Sequence, residues 1–395
     1  MMRVLHIGKY YPPFAGGIEH FLADLLPALQ RLGIAGAAVV HDEQRGRQGQ
    51  YPGPADAPAI YRAPCHGQLL YAPISPAFPA WLNRAIREFR PDVLHLHMPN
   101  TSAFWAMLVP RARKIPWIVH WHADVVASLI DRRLALAYRL YRPLEQRLLA
   151  ASEAIIATSA PYLEASAALR PWRERCHVIP LGLDAGRFPD PDAGAVARAA
   201  TLWGAGTAFR VLAIGRLTYY KGHDVLVRAA AELPDSRILI VGSGDQRERL
   251  AGLIGSLHLR ERVSLPGFQP RAELYALLAS CDVLCLPSLE RTEAFGMVLL
   301  EAMRFGKPVV VGDIPGSGPG WVVRQAGHGL LTPPGDTAAL AAALRELQRD
   351  PARRQTLGQS GASALRQRFG SDRVALAVAD LYRRVLAAAR TVERR

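Results

Sequence analysis

Two carboxylates, Glu293 and Glu301, bracket a stretch of helical character over residues 294–305. They are eight residues apart, a little over two helical turns, so both side chains can face one crevice. At about 1.5 Å per residue they would stand roughly 12 Å apart along the axis. Phe295, Gly296 and Met297 would open this helix, where free backbone N–H groups and the helix dipole favour an anion. A ligand with a diol at one end, a phosphate near the helix start and further hydroxyls beyond fits such a site. A nucleotide sugar has that layout. The same spacing also suits an ordinary N-terminal helix charge and a solvated helix face, so spacing alone leaves both readings open.

Other residues could meet a phosphate. Gly215, Arg216 and Lys221 stand between a strand and a helix and offer a close backbone and two cations, as a diphosphate site needs. The chain otherwise prefers arginine: its only lysines are Lys9, Lys114, Lys221 and Lys307. Gly16 and Gly17, ahead of another helix, are read either as a tight turn or as a backbone that a phosphate can approach. Glu19 and His20 follow them.

Histidines recur on two strands. His95 and His97 lie in VLHLH, and His120 and His122 in WIVHWH, where a period of two puts His120 and His122 on one face. No carboxylate or cysteine stands at ligand spacing, so no metal site is expected. A strand histidine is ordinarily a satisfied core residue. His122 differs because it closes its strand, and the carboxyl ends of strands are where open α/β sheets place ligands.

These residues need two α/β units to position them. In the first half, strands at 3–8, 35–40, 93–97, 117–122 and 154–159 alternate with helices at 18–32, 80–89, 102–113 and 160–169. Residues 44–64 read as a mobile loop. The opening βαβ pattern lacks G-x-G-x-x-G, which argues against a dehydrogenase. Residues 186–207 read as a linker. The pattern then restarts with strands at 209–214, 237–241, 263–265 and 283–286. The expected domains are therefore 1–185, 208–370 and a C-terminal helix over 371–395.

The chain has 395 residues, half of them apolar, with a net charge of +14. That length supports two cores. No apolar run approaches the roughly 20 residues of a membrane span, and residues 4–7 are too short for a signal-peptide core. The expected location is cytoplasmic, at the inner face of the cell membrane. The four cysteines lack zinc or redox spacing and read as reduced thiols. The charge has no nucleic-acid motif beside it and fits anionic substrates or an anionic membrane better. Residues 131–151 read as a basic amphipathic helix, either a packed surface helix or a contact for membrane or a lipid acceptor.

The stretch ERTEAFGMVLLEAMRFGKPVV resembles the E-x7-E signature of retaining GT-B glycosyltransferases, the large family 4 or group 1. Three further stretches resemble the same family in the expected order: the YPP loop with Gly16-Gly17-Ile18-Glu19, Trp121-His122-Ala123-Asp124, and the G-R-L-x-x-x-K-G run over 215–222. The resemblance implies two Rossmann-like domains facing across a cleft, with the C-terminal helix crossing back to the first. By its residue roles, His122 and Glu293 are the catalytic candidates, with Asp124 a further one. Gly16, Gly17, Arg216 and Lys221 would hold the donor diphosphate. Glu293, Ala294, Phe295 and Gly296 would hold the donor sugar, Glu301 the ribose, and Gly267 and Phe268 the base. It implies transfer of a hexose from a nucleotide diphosphate sugar, GDP-mannose-type or UDP-glucose-type, to a glycan or lipid-linked acceptor, without metal or cofactor. The alternatives are a sugar-nucleotide 2-epimerase of the same fold and a non-catalytic sugar-nucleotide-binding protein.

Overall fold

The structure, a computed structural model, describes residues 1–14, 16–42, 49–51, 58–69, 72–125, 132–206 and 208–393. The chain forms two compact units, Met1–Gly182 with Ser371–Arg395, and Leu183–Gly370.

The first unit is built on an eight-stranded sheet. From one edge its strands are Cys176–Val178, Ala154–Ala157, Trp117–Trp121, Val93–Met98, Met2–Ile7, Ile34–Asp42, Ala59–Pro64 and Gly49–Tyr51. All neighbours are parallel except the last pair. Parallel strands are covered on both faces, which explains their nearly unbroken apolar runs. The helix Gly17–Arg31 buries Phe21, Leu22, Leu25, Leu26 and Leu29. The helix Ser371–Glu393 belongs to this unit and buries Val374, Val378, Tyr382 and Val385. Gly182 lets it pack closely, since a Cβ there would stand 2.8 Å from Val374 Cγ2.

The second unit carries a six-stranded, wholly parallel sheet. Its order is Val263–Gly267, Ser236–Val241, Phe209–Ile214, Val283–Leu286, Val309–Gly312 and Gly329–Thr332. Numbered along the chain this is 3-2-1-4-5-6, the Rossmann order, and its topological switch point falls between Phe209–Ile214 and Val283–Leu286. Val211, Val283, Val309, Val310 and Val311 are fully buried in its core.

Several expected elements differ. Residues 186–207 are not a bare linker: the helix Ala193–Trp203, capped by Asp192, packs on the helix Arg271–Ser280 and buries Trp203. Small alanines at 195 and 199 give that helix an apolar stripe that composition alone disguised. The helix expected at 102–113 is two 3-10 segments, Thr101–Met107 and Ala112–Lys114. Within 44–64, Gly49–Tyr51 and Ala59–Pro64 are strands, and 43–48 and 52–57 lie outside the described residues. Asp131 also lies outside them; the basic helix runs over Arg132–Ala150. Among the described residues, no helix is long and apolar enough to cross a membrane.

Candidate active site

In the second unit the loops after the two switch-point strands meet. The Leu289 amide donates to the Tyr220 carbonyl at 2.7 Å. Gly222 has φ +63°, and a Cβ there would stand 2.1 Å from the Pro287 carbonyl oxygen, so only glycine permits the approach. The approach brings Lys221 Nζ within 2.5 Å of Glu293 Oε2, with both side chains nearly buried. Ser288 Oγ donates to the same oxygen at 3.1 Å. Ser317 Oγ donates to the Glu293 carbonyl and the Gly318 amide to the Ala294 carbonyl, pinning the loop from behind.

Burial is the largest single influence and works against the charge on Lys221, but the Glu293 carboxylate and Tyr220 together outweigh it and hold the ammonium above its ordinary pKa. His223, beside it, is pushed down to about 4, by burial first and by the Lys221 charge second. The site therefore holds one paired cation next to a neutral imidazole. Arg216 stands at the same strand end with an exposed side chain.

Glu293 is not on a helix, contrary to the expectation from spacing. The helix runs over Met297–Arg304, and Gly296, at φ +78°, turns the chain left-handed immediately before it. The estimated separation along one axis therefore does not apply. Gly296 caps this helix start without a side-chain bond, so its amides remain suited to an anion. Leu299, Leu300, Ala302 and Met303 face the core, which leaves Glu301 half-buried on the opposite side. Phe295 is in the core at 3% exposure. Phe268 is its opposite, 71% exposed after the strand that ends at Gly267.

In the first unit, His122 follows the strand Trp117–Trp121, and its amide donates to the Met98 carbonyl at 2.9 Å. Its Nε2 is 2.9 Å from His97 Nδ1. Burial first, and His97 second, keep it well below the usual histidine pKa, so it is a neutral imidazole. Asp124 has a structural task. Its carboxylate accepts from Trp121 Nε1 at 2.9 Å and Ser166 Oγ at 2.6 Å, and its amide donates to the Tyr162 hydroxyl. At the helix Gly17–Arg31, a Cβ on Gly16 would lie 2.1 Å from Glu19 Oε2. A phosphate at Gly16 and Gly17 would thus share the helix start with the Glu19 carboxylate, whose pKa burial raises.

Sequence reasoning missed Ser288, Ser317 and His223, which act only through contacts made by folding. It also missed Glu145, fully buried on the helix Arg132–Ala150 and pushed up to about 7, by burial first.

Comparison with known proteins bears on the chain as a whole. A family model described as glycosyl transferases group 1 matches residues 204–364, and a glycosyl transferase 4-like domain matches 16–182. The chain is 30% identical over 376 residues to D-rhamnosyltransferase WbpZ of Pseudomonas aeruginosa, covering 93% of this chain and 92% of the relative. It is 29% identical over 398 residues to O-antigen chain mannosyltransferase C of Escherichia coli, covering 98% and 99%. The structure of sucrose-phosphate synthase from Thermosynechococcus elongatus superposes with a TM-score of 0.78 at 25% identity, covering 98% of this chain and 100% of that one. With both units matched and the two Rossmann-like sheets in place, this chain belongs to the group 1, or family 4, glycosyltransferases of GT-B fold.

Proposed function

We propose that this glycosyltransferase moves a hexose from a nucleotide diphosphate sugar, of GDP-mannose or UDP-glucose type, to a hydroxyl of a glycan or lipid-linked saccharide, with retention at the anomeric carbon. The observation that carries the reading is the Lys221–Glu293 pair at the switch point of the second sheet. Lys221 and Arg216 take the diphosphate, with the helix start at Gly296 as third source of positive charge. When Lys221 turns to the diphosphate, Glu293 is released to a hydroxyl of the transferred sugar, beside Ala294 and Phe295 of the same loop. Glu301 binds the ribose hydroxyls, and the exposed Phe268 ring beyond Gly267 offers a face to the base. In the first unit, Gly16 and Gly17 approach the diphosphate, and His122 orients the sugar and stabilises charge that develops as the bond to the diphosphate breaks. The cations of the chain meet the leaving-group charge, and no metal is assigned to the step.

The names of the relatives support a setting in O-antigen or other lipopolysaccharide assembly. An exposed face of the first unit fits a lipid-linked acceptor. Leu140 and Leu108 are 76% and 69% exposed. Near them in the chain are Arg139, Arg142, Arg111, Arg113 and Lys114, all exposed. Phe104 and Tyr141, 5.1 Å apart, join the two segments that carry them. Apolar tips among cations suit the surface of an anionic bilayer.

The test is thermal stability against a panel of UDP-, GDP-, ADP- and dTDP-sugars, with Glu301→Ala as control. A matching donor at a hundredfold excess over its Kd stabilises by about 2.7 kcal/mol. One donor should raise the Tm, and the control should abolish the effect. No shift with any donor, together with no transfer to lipid-linked acceptors, overturns the reading.

A further inference from the structure

Five histidines of the first unit share one face of its sheet. His6, His95, His97, His120 and His122 are each at most 3% exposed. The sheet register pairs His6 with His95 and His97 with His120. Rings of those pairs lie beside one another, but the short nitrogen-to-nitrogen approaches do not follow them. His6 Nδ1 is 3.0 Å from His97 Nε2, and His97 Nδ1 is 2.9 Å from His122 Nε2. Each step moves one strand across and two residues toward the carboxyl ends of the strands. The centroid separations along the chain, 5.3 and 5.2 Å, suit rings joined edge to edge rather than face to face. His120 lies flat on His122 at 4.2 Å and His95 on His97 at 4.6 Å. Phe21 meets His97, His120 and His122 edge-on, and the Tyr382 hydroxyl bonds His95 Nδ1 at 2.5 Å.

Ring nitrogens of His97, His120 and His122 lie within 4.8 Å of one another, close enough to invite a metal ion. Ring orientation argues against one. A metal must lie in the plane of each ligating ring, and His120 is stacked at 9° to His122, so their lone pairs run side by side without converging. Coordination at His97 Nδ1 would also break its bond to His122.

A neutral imidazole has one N–H donor and one acceptor nitrogen. If His6 donates from Nδ1, His97 accepts at Nε2 and must carry its proton on Nδ1. It then donates to His122 Nε2, which leaves the His122 proton on Nδ1. If His122 donates from Nε2 instead, all three protons sit on Nε2. We propose that His6, His97 and His122 are a head-to-tail imidazole chain whose shared tautomer decides whether His122 Nδ1 donates or accepts, making His97 and His6 positioning residues for His122. The functional half of this rests on the reading of His122 as a residue that orients the donor sugar. Burial keeps each of these rings uncharged, and His97 is pushed down to about 3. Both ends of the chain, His6 Nε2 and His122 Nδ1, are buried without a hydrogen-bond partner among the described residues, and His122 is the one that lies past the carboxyl end of its strand, where open α/β sheets place ligands.

Long-range 1H–15N spectra of the histidine rings in the full chain test this directly. The expected result is the same protonated nitrogen in His6, His97 and His122. Opposite tautomers in neighbouring rings, a charged ring near neutral pH, or stoichiometric zinc in the purified protein overturns it. His97→Phe keeps a ring in place and removes both bonds. His122 should then show two tautomers, and kcat should fall about tenfold or more, with donor KM unchanged. A folded His97→Phe with a single, unaltered His122 tautomer overturns the proposal, and the wild-type spectrum decides it even if that variant does not fold. His122→Ala separates the two readings: full transfer by it, with the wild-type ring pattern intact, refutes the sugar-orienting role and leaves the tautomer chain standing.

Discussion

Mild acid should unfold the histidine-bearing unit before the other. In the first unit, burial holds His6, His41, His95, His97, His120 and His122 below the ordinary histidine pKa, with His41 at about 4 and His97 at about 3. In the second unit only His223 and His328, both at about 4, are held so among the described residues. A histidine depressed in the fold binds its proton in the unfolded chain first. Its stabilising contribution is complete above pH 6.5, the unfolded value, and is lost as pH falls toward the folded one. Each costs about 1.4 kcal/mol per pH unit in that window. Glu145, raised to about 7 by burial, acts the other way and offsets one of the six, while Glu19, raised, and the more exposed His177, lowered, act in opposite senses to each other. The net of about five protons costs the first unit about 7 kcal/mol by one unit below that pH, against about 3 kcal/mol for the two histidines of the second. A domain is stable by only about 5–15 kcal/mol, so the first loss is a large fraction of the whole. Hydrogen exchange read by mass spectrometry across a pH series checks this. Peptides of Met2–Ile7, Val93–Met98 and Trp117–Trp121 should lose protection at a higher pH than those of Phe209–Ile214 and Val283–Leu286. Simultaneous loss, or earlier loss in the second sheet, would refute the burial of neutral imidazoles as the main acid-sensitive element.

Lys221→Met and Glu293→Gln should each abolish most transfer. Lys221→Met should also cost about 3 kcal/mol of stability by stranding a nearly buried carboxylate; denaturant melts of the singles and the double should show strong non-additivity, and simple additivity would remove the pair from the site. Vesicle sedimentation should show binding to anionic but not neutral liposomes at low salt, weakened by Leu140→Glu with Arg142→Glu; equal binding of wild type and variant would rule out that face as the contact.

The residues proposed for the donor site could be picked out in sequence as candidates because they sit in short runs, each within one strand-to-helix connection. Arg216 and Lys221 follow one apolar strand run, and Glu293 and Glu301 follow another. The runs themselves mark buried parallel strands, since such strands need apolar residues on both faces. The eight-residue spacing misled where it assumed one continuous helix, because a left-handed glycine at 296 was indistinguishable from a helical one until its backbone was seen. The linker expected at 186–207 failed for a similar reason: the stripe of Ala195, Ala199 and Trp203 has meaning only against the helix it packs on.

By itself, then, the sequence determined the α/β alternation, the order of the strand-end loops and the residue types they carry. These follow from local periodicity and from chemistry confined to a few neighbouring residues. The tertiary structure alone decided that Lys221 meets Glu293 and that histidines from neighbouring strands line up ring to ring. Strand order and register are set by packing between segments distant in the chain. A shift of one residue would have turned every one of those rings to the other face of the sheet.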